Sequence, residues 1–337
     1  MKKITVIGGG SWGTALAQVL CDNQMDVTIY DRNQDVVDDI NKNHRNSKFF
    51  KDQKLPETLK ANIQLEAAIK EAQYILLAVP TKVIRDVLKN INNCLNSAVT
   101  VINASKGIEP GTHKRVSEIV AEEIEAHKLE AFVALSGPSH AEEVILRAVT
   151  TVTCAATVPH KAKEVQAMFN TDYFRVYHID DLLGVEVGGS IKNVIALAAG
   201  ILAGLGYGDN AKAALLTRGL VEIQRLGTAL GAKEETFVGL SGLGDLIVTC
   251  TSVHSRNWQA GYKIGVGSDL QEALDSMTMV VEGVRTCQAT YELSKELGID
   301  MPIVSTIYEV VFNKVDPNIA INKLMTRKTR SEFDHAS

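Results

Sequence analysis

The sequence has no C-x-x-C pair: its five cysteines, Cys21, Cys94, Cys154, Cys250 and Cys287, are odd in number and far apart. That spacing argues against a disulfide framework and for reduced thiols in a cytosol. The eight histidines are equally scattered and form no H-E-x-x-H cluster, so neither a structural nor a catalytic zinc site is expected. Positive charge is not in excess: 35 Lys and Arg against 40 Asp and Glu give a formal net charge of -5. This argues against broad contact with nucleic acid or anionic lipid, and any anionic ligand must be met locally. The apolar run in MKKITVIGGG stops after four residues at a glycine, too soon for a signal peptide. The uncharged stretch 193–208 reads as too short and too glycine-rich for a membrane span of about 20 residues. Neither a repeat nor a linker rich in Pro, Ser or Gly divides the chain, which is expected to be soluble and cytoplasmic.

What is present suits two packed domains, since 337 residues with 45% hydrophobic content can fill two cores. Short β-branched runs recur at 4–8, 27–31, 74–80, 99–104, 132–137 and 151–156, with helix-like segments between them. Strands apolar on both faces and alternating with helices predict a doubly wound, Rossmann-like parallel sheet over residues 1–185. Beyond about residue 180, Ala- and Leu-rich segments at 190–204, 210–230, 256–264, 282–297 and 303–313 predict an all-α domain over 186–337. The tail KTRSEFDHAS is expected to fray.

The stretch IGGGSWGTALAQVL sets Gly8, Gly10 and Gly13 in G-x-G-x-x-G spacing between the first strand and a helix. The first glycine permits the tight turn, the second admits a pyrophosphate to the backbone, and the helix N-terminus faces its charge. Asp31, at the end of the second strand, suits the hydroxyls of an adenosine ribose, which favours NAD. The adjacent Arg32 suits a 2′-phosphate, so either NAD or NADP is expected; alternatively the two residues simply open a surface turn.

Lys192 is the one charge within GGSIKNVIALAAGILAGLG. Either it snorkels to water from an apolar helix, or it is held in a partly desolvated cleft where its lowered pKa suits proton transfer. Lys106 follows a strand, where doubly wound sheets bind ligands, and either polarises a carbonyl or is a surface lysine. Asp245, in apolar GLGDLIVT, either orients Lys192 and binds a substrate hydroxyl or caps a helix. Ser255, Arg256 and Asn257 offer hydroxyl, guanidinium and amide donors in succession, suited to a phosphate at a helix start, although a solvated helix N-terminus carries similar residues.

Together these segments resemble the bacterial NAD(P)-dependent glycerol-3-phosphate dehydrogenase family over essentially the whole chain. The motifs G-x-G-x-W-G, SKG, GPS-x-A, GGS-x-KN, GLGDL, SRN and VEGV stand in that family's order. The resemblance implies reversible hydride transfer between nicotinamide C4 and C2 of dihydroxyacetone phosphate or sn-glycerol 3-phosphate, in the service of phospholipid synthesis. It implies Lys192 as proton donor and acceptor, with Lys106 and Asp245 beside it. It places Gly137, Ser139, Asn193, Ser255, Arg256 and Asn257 at the substrate, and Ser11, Trp12, Ala141, Val280 and Glu282 at the cofactor, which Lys106 and Arg256 also reach. Glu282 has an alternative reading as an exposed acid in the first turn of a helix. A homodimer is implied as well. His140 is set aside as a solvent-exposed loop histidine. The competing readings are a β-hydroxyacid or ketopantoate-type dehydrogenase of the same architecture and a non-catalytic dinucleotide sensor.

Overall fold

The computed structural model describes residues 1–277, 280–329 and 331–332; of the tail expected to fray, residues 330 and 333–337 lie outside the described residues. Strands β1 (Lys3–Ile7), β2 (Asp26–Tyr30), β3 (Lys60–Asn62), β4 (Tyr74–Leu77), β5 (Val99–Asn103), β6 (Leu129–Ser136), β7 (Thr150–Ala156) and β8 (Phe174–His178) form one sheet. Their order is β3-β2-β1-β4-β5-β6-β7-β8. All six expected strands are there, and β4 and β5 are buried at every residue, as a sheet covered on both faces requires.

The expected doubly wound parallel sheet is there, with one antiparallel pairing at its edge. β1 to β6 are parallel, but β7 pairs with β6 antiparallel and β8 with β7 parallel. The connection after β6 contains only the four-residue helix Ala141–Val144. At about 1.5 Å per residue so short a helix cannot carry the chain back along an eight-residue strand, and the next strand starts from the end where β6 stopped. β3 and β8 were not legible in sequence. The first has three residues, two of them polar, and the second has Arg175 and Tyr177 on an exposed face.

The helical half is organised around Leu182–Gly204, buried from Gly184 to Ile201. This helix begins eight residues before the expected start at 190, because Asp181 caps it by accepting from Gly184 N at 2.9 Å. At 23 residues it is long and apolar enough to cross a bilayer, contrary to the reading of 193–208, yet 83% of its most apolar window is buried inside the protein. The helices Asp209–Ala229, Arg256–Gly265, Glu282–Glu296 and Pro302–Phe312 match the expected segments and pack around it.

Arg256–Gly265 lies closest of all. A Cβ on Gly200 would stand 2.0 Å from Trp258 O, and one on Gly261 would stand 2.0 Å from Leu197 O. Two Gly-x-x-x-Gly pairs, 200/204 and 261/265, therefore let the two backbones touch, and this contact brings Arg256 and Asn257 to the middle of the long helix. A second buried device is Glu222, whose carboxylate accepts from Ile303 N (2.6 Å) and Val304 N (3.1 Å) at the start of the helix Pro302–Phe312.

Gly200→Ala is expected to lower stability by about 3 kcal/mol, because the added methyl meets a carbonyl oxygen that cannot retreat without separating the helices. Glu222→Ala is expected to cost about 2 kcal/mol by leaving two buried amides unpaired. Urea unfolding followed by circular dichroism measures both, and an unchanged midpoint for Gly200→Ala would contradict the backbone contact.

Candidate active site

The strand order reverses between β1 and β4, and the crevice beyond their carboxyl ends is where doubly wound sheets take ligands. Gly8 follows β1 with φ +108°, and a Cβ there would meet Ala78 O at 2.9 Å on the loop after β4. Only glycine tolerates that turn. A Cβ on Gly13 would stand 2.0 Å from Gly8 O, so the helix Ser11–Asp22 begins tight against its own loop. Gly10, in contrast, has no atom of the described residues within 4 Å of its Cβ position, which leaves an open cradle at the helix N-terminus. Ser11, Trp12 and Ala141 border the same cleft.

Asp31 and Arg32 stand at the end of β2. The Asp31 carboxylate accepts from Gly9 N at 2.7 Å and Asn33 N at 2.8 Å, so it fixes the glycine turn. Two of its roughly four acceptor positions remain for ribose hydroxyls. Arg32 is exposed beside it. Sequence reasoning missed Asn46, a buried residue that donates to Gly9 O and Thr14 Oγ1, both at 2.9 Å. No local signal marks it, because it reaches the turn from a distant loop.

The cleft runs from Gly10 to the helical half, with a volume of about 390 Å³. At its floor three elements converge. Asp245, 1% exposed, begins the helix Asp245–Thr251. Its Oδ1 accepts from Lys192 Nζ at 2.6 Å and its Oδ2 from Lys106 Nζ at 2.5 Å. Lys192 also donates to Thr249 Oγ1 at 2.5 Å, and Lys106 to Gly137 O at 3.2 Å. Ser136 Oγ donates to Asp245 Oδ2 at 3.3 Å. Thr249 is the second residue missed in sequence, although its i+4 spacing from Asp245 places both on one helix face.

Burial strips Lys192 of water and pushes its pKa down to about 8; Asp245 opposes that fall and Lys106 adds to it. Burial alone would raise the Asp245 carboxyl, but the ammonium groups of Lys106 and Lys192 outweigh it and hold the pKa below its ordinary value. Lys192 does not snorkel: it is 5% exposed and held by a carboxylate and a hydroxyl. Asp245 is the first helical residue, with Gly244 at the cap position.

Arg256, Asn257 and Ser255 border the cleft opposite. Ser255 caps the helix Arg256–Gly265 by accepting from Trp258 N at 3.3 Å. Burial lowers the Arg256 pKa from a value so high that the guanidinium stays charged. Asn257 spans two helices, donating to Asn193 Oδ1 and accepting from Gly283 N, each at 2.8 Å. Glu282 and Val280 border the cleft; Glu282 also accepts from Thr81 N at 2.9 Å and Thr81 Oγ1 at 2.5 Å, which joins the helical half to the loop after β4. Ser139 lines the cleft while donating to Gly137 O at 2.9 Å; Gly137 stands behind the wall, supporting Lys106. His140 is corrected: it is half-buried on the cleft wall, 3.4 Å from Val248 O, with its ring 5.9 Å from that of His254.

A dinucleotide cradle thus opens onto a buried carboxylate flanked by two amines. The family description "NAD-dependent glycerol-3-phosphate dehydrogenase N-terminus" matches residues 3–162, and the corresponding C-terminus matches residues 181–322. The chain belongs to this family. It is 56% identical over 335 residues to a glycerol-3-phosphate dehydrogenase (NAD(P)+) of Geobacillus thermodenitrificans, covering 99% of this chain and 97% of the relative. It is 54% identical over 335 residues to the enzyme of the same name in Shouchella clausii, covering 99% and 98%. The crystal structure of glycerol-3-phosphate dehydrogenase from Coxiella burnetii superposes with a TM-score of 0.91 at 35% identity, covering 97% of this chain and 99% of that one. The glycerol-3-phosphate dehydrogenase family takes NAD(P), and the open backbone at Gly10 fits that cofactor.

Asn46→Ala is expected to weaken NADH binding about tenfold, because it frees Gly9 O and the Thr14 hydroxyl behind the glycine turn. Fluorescence titration with NADH measures this; unchanged affinity would show that the turn is set without Asn46.

Proposed function

We propose that the chain catalyses the reversible reduction of dihydroxyacetone phosphate to sn-glycerol 3-phosphate, using NADH or NADPH. The observation that carries this reading is the buried Lys192–Asp245–Lys106 set facing Arg256 across a cleft that opens to Gly10. Ser11, Trp12 and the Gly10 backbone would hold the cofactor's pyrophosphate over the glycine turn, Val280 and Glu282 would border its nicotinamide end, and the reduced cofactor, when bound, would supply the hydride. Lys192 gives the ketone oxygen a proton from its ammonium as the alkoxide develops, and takes it back in the reverse direction. Lys106 polarises the same oxygen, and Asp245 orients both amines and keeps the pair from repelling. Arg256 grips the phosphate together with the Ser255 hydroxyl and the helix N-terminus behind them. Asn193, held by Asn257, faces the substrate hydroxyl or the nicotinamide amide. Arg32 beside Asp31 supports acceptance of NADP as well as NAD.

We also propose that the chain divides near residue 185. Val185 packs in a core under the sheet, whereas Val187 packs in the core of the helical half. Family membership supports a cytoplasmic enzyme that supplies glycerol phosphate for membrane phospholipids and works as a homodimer. An apolar groove between Leu182–Gly204, Asp209–Ala229 and Pro302–Phe312 offers a face for the second copy.

Absorbance at 340 nm, with dihydroxyacetone phosphate and dihydroxyacetone in parallel, tests the substrate. Turnover should require the phosphate, and Arg256→Ala should raise KM for the phosphorylated ketone by about two decades or more. Equal use of both ketones would overturn the assignment. Lys192→Ala should lower kcat by about two to four decades while NADH still binds. Because the ammonium is the acid in reduction, reduction should fall as pH rises through about 8, and oxidation should gain over the same range. Asp245→Asn should move both limbs about one unit or more lower, since it removes the anion that favours charged Lys192. An unmoved limb would take Lys192 out of proton transfer.

A further inference from the structure

The loop 104–115, between β5 and the helix Val116–Glu123, begins with the residues around Lys106 and ends in a feature that the proposed mechanism does not use. At its far end His113 adopts φ +57°, a left-handed conformation unfavourable for a residue with a side chain. Its ring reaches the other half of the molecule: Nε2 lies 3.1 Å from Glu292 Oε2, and Nδ1 lies 3.2 Å from Glu296 Oε2. The two glutamates stand one turn apart on the helix Glu282–Glu296, whose first residue holds Thr81 across the cleft.

We propose that His113 is a protonation-dependent positioning residue: as an imidazolium it latches the loop that carries Lys106 onto the helix that carries Glu282. Nε2 makes a hydrogen bond with Glu292, whereas Nδ1 faces Glu296 at ion-pair distance; since carboxylates only accept, a ring set between the two is matched to both only when both ring nitrogens carry hydrogen. A neutral ring keeps one N–H and turns a lone pair toward the other glutamate. The neighbouring charges are committed elsewhere. On the loop, Glu109 is held by Arg85 and Thr112, Lys114 pairs with Glu122, and Arg115 pairs with Glu118 and Glu186. From Ile84–Cys94 and Val116–Glu123, Arg85 also joins Glu122 and Glu123. On the helix, Lys295 lies over the Tyr291 ring and Gln288 donates to Glu292 Oε1 at 2.9 Å. The near end of the loop is fixed by Ser105 Oγ on Val79 O at 2.6 Å. The latch thus sets how firmly the far end, and through it Lys106, is pressed toward the helical half.

The kinetic consequence rests on the proposed reduction, so the test has a second readout. We expect kcat/KM for dihydroxyacetone phosphate in the wild type to exceed that of His113→Gln about fivefold at pH 5.5, with the ratio falling toward one by pH 8. Ionisation of Lys192 is common to both proteins and cancels in this ratio. His113→Arg, cationic throughout, should hold a constant advantage over His113→Gln. Glu292→Gln combined with Glu296→Gln should reproduce the His113→Gln profile from the helix side, and serves alone if the histidine variant does not fold. A wild-type ratio that does not change with pH overturns the latch. If no protein turns over the triose phosphate, the functional reading has failed, and the same ratios are taken from NADH affinity by fluorescence titration. There too, a pH-dependent ratio supports the latch and a flat one overturns it.

Discussion

A single carboxylate between two ammonium groups governs this molecule. Asp245 takes Lys192 on one oxygen and Lys106 on the other, with 1% of its surface exposed. Like charges cannot be brought together in a desolvated floor without a shared counter-ion, and a buried carboxylate cannot stay ionised without cations. The three groups therefore maintain one another and leave one excess positive charge facing the cleft. That excess suits an oxygen about to become anionic. It also keeps the Lys192 pKa near the pH at which an amine can both give and receive a proton.

Holding three charges at hydrogen-bond distance requires a stiff frame. Lys106 comes from the loop after β5, Lys192 from the middle of the long helix, and Asp245 from a short helix that follows a glycine-rich turn. The long helix can present a lysine in its buried interior because its far end is clamped, backbone on backbone, by Arg256–Gly265. The same contact delivers Arg256 to the opposite wall. Packing and chemistry are here one device: the glycines that let two helices touch also set the distance between amine and guanidinium.

Buried acids recur as connectors between elements. Glu186, on the long helix, accepts from Ser117 N at 2.8 Å and Ser117 Oγ at 2.6 Å at the start of Val116–Glu123. Asp181 holds Lys233 N at 3.0 Å and Thr236 Oγ1 at 2.6 Å. Glu222 does the same for Pro302–Phe312, and the half-buried Glu282 for Thr81. In each case a carboxylate from one element satisfies amides that a neighbouring segment leaves open, and desolvation makes that contact selective for its partner. The joints of Glu186 and Glu282 tie the sheet half to the helices, and those of Asp181 and Glu222 tie the helices to one another, without any linker that a sequence would reveal.

Much of this was legible in the order of residues. The strand and helix periods, the glycine spacing after the first strand, and an isolated lysine in an apolar run each reflect a local constraint: a backbone turn, a buried face, a costly charge. Local constraints leave local marks, and so the doubly wound half and the helical half could be read directly, while Lys192, Lys106, Asp245 and Arg256 stood out as candidates whose roles only the family resemblance chose between. The reversal of β7, the edge strands β3 and β8, the bracing of the glycine turn by Asn46, the half-buried setting of His140 and the two carboxylates around His113 could not. The reversal of β7 follows from a connection too short to return along the sheet; the others depend on which segments meet after the chain has travelled tens or hundreds of residues, and neither propensity nor spacing along the chain encodes such a meeting. The sequence determined what chemistry was available; the tertiary structure decided which groups share a proton, a wall or a charge.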